Sequence, residues 1–253
     1  MMLAIVVAAF ISSSAAASDF VQSARAATDK YHDRSVAIAD GYRLIGSDFP
    51  AMGEHWIHTG LLFDSKFDPE RPEILSYVVV SGKPRLIGVA YILPLLGGES
   101  PPDWPASPDQ WHDHFRTIED ETVRPEHHEP GHVGHGPRMA MLHAWIWLDN
   151  PAGMFAADNW AIPYFRLGIQ PSPNTSEAAA KALALTVAGG AGHLAAEVQV
   201  PGKARKKVLV AFEQTRRSVE RILERRSGNL SDVDWRKLDA EWLRLMGKIA
   251  QVH

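Results

Sequence analysis

Twelve histidines and no cysteine define the chemistry open to this chain. Imidazole and carboxylate can ligate a divalent metal without thiolate, and a neutral imidazole can also act as a general base. Three histidines lie in aromatic segments: His55 and His58 in Glu54-His55-Trp56-Ile57-His58, and His143 in Leu142-His143-Ala144-Trp145-Ile146-Trp147. If the first segment is helical, His55 and His58 share a face and could share an ion; if it is extended, they point to opposite faces. Trp56 and Ile57 suit a strand, so His55 is the inward residue and His58 a conditional ligand. His143, in mid-strand with Trp145 and Trp147 on its own face, is poorly solvated, which disfavours its charged form. Two histidines and a carboxylate make a site for a divalent ion, zinc most simply, with positions open to water or substrate. Glu54, Glu73 and Asp149 are the candidate carboxylates, and Glu54 is also a candidate general base towards a metal-bound water. The competing reading makes each histidine a packed residue hydrogen-bonded to backbone.

A second set is more conspicuous and less specific. His112, His114, His127, His128, His132 and His135 alternate with Asp113, Glu119, Asp120, Glu121, Glu126 and Glu129 in a Pro-rich stretch. Such a tract chelates transition metals weakly and, with clustered imidazoles, could also sense pH.

The elements that must position these residues follow from periodicity. Phe20, Ala24, Ala27, Tyr31 and Ile38 predict an amphipathic helix over Asp19 to Ala39. Two β-rich runs, Glu73 to Val80 and Arg85 to Leu93, predict an antiparallel hairpin with the four-residue loop Ser81-Gly82-Lys83-Pro84. Residues 94–138 are expected as loop, with a helical turn over Trp111 to Arg116, and Met139 to Leu148 as a third strand ended by Asp149-Asn150-Pro151-Ala152-Gly153. The last third is helical: an Ala-rich helix from Ser176 towards Val200 that its glycines weaken, a charged helix over Lys203 to Arg226, and a terminal helix with Ser231 and Asp234 as its cap. The expected fold class is α+β, a small antiparallel sheet with an N-terminal helix and a helical C-terminal third.

Leu3 to Ile11 is apolar and is followed by Ala15-Ala16-Ala17, so residues 1–17 read as a signal peptide cleaved after Ala17, although no basic residue precedes the apolar run. The mature chain is then periplasmic or secreted, an α+β domain over 18–173 with a helical region over 174–253. No stretch is long enough for a stable membrane span. A formal charge of −4 argues against nucleic acid as partner. G-x-S-x-G and phosphate-loop motifs do not occur in the sequence.

Met52-Gly53-Glu54-His55-Trp56, Pro72-Glu73-Ile74-Leu75-Ser76-Tyr77, Leu86-Ile87-Gly88-Val89-Ala90-Tyr91 and His143-Ala144-Trp145-Ile146-Trp147 with Asn150-Pro151-Ala152-Gly153-Met154-Phe155 occur in this order. In these motifs the chain resembles a group of uncharacterised exported bacterial proteins with no established activity, over roughly Ala24 to Asn159. Members often read Val-Glu-Tyr where this chain has Val89-Ala90-Tyr91. The resemblance implies one domain and a pairing of the His55 and His143 segments, and no reaction.

The expected function is therefore divalent-metal binding, with metal-dependent chemistry on a small molecule as its extension. The alternative is a non-enzymatic ligand-binding, envelope-stress or metal-buffering protein, whose Trp-rich face holds an apolar ligand or forms a homo-oligomer.

Overall fold

The computed structural model describes residues 18–96, 99–114, 138–171, 176–187, 189–198, 202–226 and 228–251. The fold is α+β. A six-stranded sheet has the order β1-β2-β3-β4-β6-β5, with β1 Arg43–Phe49, β2 Gly53–Ile57, β3 Ile74–Val80, β4 Lys83–Leu95, β5 His112–His114 and β6 Arg138–Ala144. β6 runs antiparallel to both β4 and β5. By contact density the chain forms two compact units. One takes the described residues of Met1–Gly46, His55–Tyr77 and Arg85–Ala157, the other those of Ser47–Glu54, Val78–Pro84 and Asp158–His253. No described helix is long and apolar enough to cross a membrane. Residues 1–17, which carry the expected signal peptide, lie outside the described residues.

In the first unit each sheet face buries its own set of side chains, as strand alternation requires. One face, with Leu75, Tyr77, Val89, Tyr91 and Leu142, packs against Phe20, Ala24 and Tyr31 of the N-terminal segment. Phe20 sits edge-on to Tyr91 at 5.8 Å between centroids, and the Tyr77 hydroxyl donates to Tyr31 O at 2.7 Å. The other face carries Ile57, Ile74, Ala90, Ile92 and Met141.

The N-terminal helix is not continuous to Ala39. Residues 18–28 are α-helical, Asp29–His32 tighten to a 3-10 turn, and a new helix, Arg34–Ala39, starts at Asp33, whose carboxylate accepts from Ser35 N at 2.9 Å. Asp33 is an N-cap in extended conformation, which a continuous helix excludes. The restart shifts the helical phase, and Ile38, expected inward, is exposed.

The β3–β4 turn is shorter than its composition suggests. Ser81 and Gly82 both have positive φ, 50° and 76°, the two-residue geometry whose twist matches the flanking strands, so Lys83 and Pro84 belong to β4. β1 has no counterpart in the hydrophobic pattern, because its first five residues are exposed.

β6 stops at Ala144, four residues before the expected end. Ile146 N donates to Ala144 O at 2.9 Å, a three-residue turn that breaks the alternation. As a result Trp147 packs against the core on the N-terminal helix side instead of sharing His143's face, and its Nε1 donates to Thr28 Oγ1 at 3.3 Å.

In the second unit the Ala-rich segment splits into helices Glu177–Ala184 and Gly190–Glu197 around Gly189, which has φ 79°. The helices Arg205–Glu224 and Asp232–Ala250 follow. The stripe Trp235, Leu238, Trp242, Leu245 and Ile249 is buried, and Ser231 and Asp234 form the capping box.

Candidate functional site

The site begins with β2, whose residues alternate between buried and half-buried from Gly53 to Ile57. This places His55 on the face of Ile57 and puts Glu54 and Trp56 on the opposite one, where Trp56 packs against the N-terminal core. His143 lies on β6, in register with Ala90 of β4. Across the sheet the two imidazoles meet, with ring centroids 5.6 Å apart and planes 22° from parallel. His55 is 7% exposed and His143 2%.

The third member is His112, which the sequence assigned to a flexible loop. Trp111 to Arg116 was expected as a helical turn, but His112–His114 is strand β5, paired in register with Met141, Ala140 and Met139 of β6. His112 therefore shares the face of Met141 and His143 and is 2% exposed, with its ring 5.1 Å from that of His143. His114 pairs along the same edge with Met139. His127, His128, His132 and His135 lie outside the described residues.

His143 is held by its surroundings. Its Nδ1 is 2.6 Å from Ala157 O, and a carbonyl can only accept, so Nδ1 carries a hydrogen, and in the neutral ring the lone pair is then on Nε2. An imidazole donating its other N–H to a backbone carbonyl is the usual arrangement of a metal-ligating histidine, because it fixes tautomer and orientation. Trp145 ties the same returning segment: its backbone N donates to Met154 O at 2.9 Å and its Nε1 to Ala156 O at 2.6 Å. The Trp145 ring lies 5.4 Å from that of His143. The motif from His143 to Phe155 is thus a bracket that closes a chain reversal and orients His143.

Gly88 lets this bracket approach β4. A Cβ there would lie 2.9 Å from Ala144 O and 3.1 Å from the Trp145 ring, both tighter than ordinary contact. Gly88→Ala is expected to cost about 1–3 kcal/mol of unfolding free energy and to displace the end of β6, measurable as a lowered urea midpoint.

The other sequence candidates do not join the cluster. His58 caps the short helix Thr59–Leu62, its Nδ1 accepting from Leu61 N at 3.2 Å and its ring 5.3 Å from Tyr42. With β2 extended, the condition on which His58 was a ligand is not met. Glu54, the candidate general base, faces away from His55. Asp149 is exposed. Glu73 is buried, but its carboxylate accepts from Ile92 N at 2.9 Å, and the charged groups that act on it are Asp64 and Arg71. Ala90 brings a methyl group opposite His143. Among the described residues no group of three or more His, Asp or Glu is already arranged to hold an ion. The His143 ring is in contact with those of His55 and His112.

Glu73 carries a separate prediction. Burial pushes its carboxyl up to about 7 from 4.5, more than the Ile92 N–H lowers it. Between those values the folded protein keeps a proton that the unfolded chain has released, so stability falls as pH rises through that window. Glu73→Gln keeps an acceptor for Ile92 and removes the ionisation. Relative to the parent, the variant should gain stability from about pH 5 to about pH 8, by up to about 3 kcal/mol. Urea unfolding at the two pH values checks it; a gap independent of pH contradicts it.

What fold and site define is an α+β protein with three clustered, buried histidines on one sheet face. Comparison with family models, curated proteins and solved structures gives no match for this chain.

Proposed function

We propose that the protein is an exported metal-binding protein that holds one transition-metal ion, zinc in the simplest case, through His55, His143 and His112. The observation that carries this reading is the contact of three imidazoles contributed by β2, β6 and β5. Zinc lies about 2.0–2.1 Å from each ligand nitrogen, so ligand rings around one ion have centroids roughly 5 Å apart. The rings here are separated by 5.6 and 5.1 Å. The hydrogen bond from His143 to Ala157 supports the same reading through the tautomer it selects. Export rests on the apolar run and Ala-rich ending of residues 1–17.

Binding, storage or buffering of the ion is favoured over hydrolysis. A three-imidazole set leaves a coordination position for water or a small-molecule ligand. Hydrolysis would also need a base beside it, but Glu54 faces the other side of the sheet and Glu73 serves Ile92.

The test is competitive titration of the untagged chain against a chromophoric zinc chelator. One tight site is expected, lost on His55→Ala or His143→Ala and retained when His127, His128, His132 and His135 are all replaced by Ala. Affinity that follows the four loop histidines and ignores His55 and His143 defeats the reading.

A further inference from the structure

We infer that the ion this cluster selects is monovalent copper, with the Met141 thioether as an additional ligand; the inference rests on the metal-site reading above. Met141 is buried on the histidine-bearing face. It is the register partner of His112 across β5 and β6, and directly opposed residues have Cβ atoms about 4.5–5.5 Å apart. It also precedes His143 by two residues, one repeat of the same strand face, roughly 7 Å along β6. A methionine side chain, unbranched with three rotatable bonds, spans such separations and adapts to irregular surroundings.

Two properties of this neighbourhood point to the same ion. Thioether and imidazole are soft to borderline donors, the set that suits cuprous copper and offers nothing to calcium, magnesium or manganese. The flanking side chains are Ile57, Ala90 and Ile92; Glu54 is on the opposite face of β2, and the Glu73 carboxylate accepts from Ile92 N. The cost of burying an ion in apolar surroundings rises steeply with its charge, so a single positive charge is tolerated better than two. The chain has no cysteine, and a Met/His set is the soft site it can build.

The experiment uses the full, untagged chain under anaerobic conditions, with cuprous ion competed against bicinchoninate and zinc measured separately against a chromophoric chelator. Met141→Leu preserves volume and should fold. Its cuprous affinity is expected to fall by at least about tenfold while its zinc affinity is unchanged. Copper absorption-edge spectroscopy of the parent protein, independent of any variant, is expected to show a sulfur scatterer in the first coordination shell. Equal cuprous affinity in Met141→Leu and parent overturns the inference, as does equal weakening of both metals or a shell without sulfur. Zinc binding that needs His55 and His143, without cuprous binding, defeats this inference alone; failure of both metals to bind the parent defeats the metal-site reading itself.

Discussion

Replacing His143 by alanine is expected to abolish tight metal binding, lowering affinity by at least about 100-fold, beyond what loss of a supporting partner causes. His143 is the member that touches both others, 5.6 Å from His55 and 5.1 Å from His112 between ring centroids. Removing it takes away the ring that both others touch. A structural cost accompanies the functional one, because Ala157 O loses its donor and a buried imidazole's volume is emptied; about 1–3 kcal/mol is expected. Thermal unfolding with and without metal separates the two. The parent should gain about 2.7 kcal/mol when free metal is 100 times the dissociation constant. The variant should start lower and gain nothing. A variant that is destabilised but still responds to metal would make His143 a core residue and no ligand.

Asp48→Ala is expected to have the largest effect on stability, about 3–5 kcal/mol, and it concerns the second unit. The Asp48 carboxylate meets the Arg166 guanidinium in a two-pronged contact, Nη1 to Oδ2 at 2.7 Å and Nη2 to Oδ1, with Phe49 O a further acceptor at 3.4 Å. The Arg166 side chain is 6% exposed, Asp48's 30%. Arg166 belongs to the helix Ile162–Leu167 and Asp48 to the end of β1, so the pair joins elements 118 residues apart. Removing the carboxylate leaves a guanidinium charge buried without its counter-ion, which costs far more than an intact pair contributes. Truncating both partners, Asp48→Ala with Arg166→Met, should therefore recover most of the loss, because the buried charge goes too. Urea midpoints of the two variants check this. A double variant no more stable than Asp48→Ala would show that packing of the Arg166 stem, not its charge, carries the effect.

The terminal helix was legible in the sequence because its information is local. Trp235, Leu238, Trp242, Leu245 and Ile249 repeat at helical spacing behind a Ser231–Asp234 cap, and all five are buried. His55 and His143 were legible as a pair because each stands in a short alternating run with tryptophan. His112 was not, because β5 has only three residues and follows a Pro-rich stretch, so its conformation is decided by pairing with β6. The signal that could have found it is the Trp111-His112 step, in which an aromatic residue goes to one face and an imidazole to the other. The break after Ala144 was hidden for the opposite reason. Alternation continues in the sequence through Leu148, while the Ile146-to-Ala144 turn and the Trp145 bracket end the strand. β1 escaped notice because a mostly exposed edge strand needs no apolar alternation.

The most direct measurement is elemental analysis of full-length protein purified without a histidine tag, beside the same protein carrying His55→Ala or His143→Ala. The site described here predicts one transition-metal ion per chain in the parent, after loading with zinc or cuprous copper and desalting, and none in either variant. A parent that retains no metal, or variants that retain as much as the parent, would contradict it.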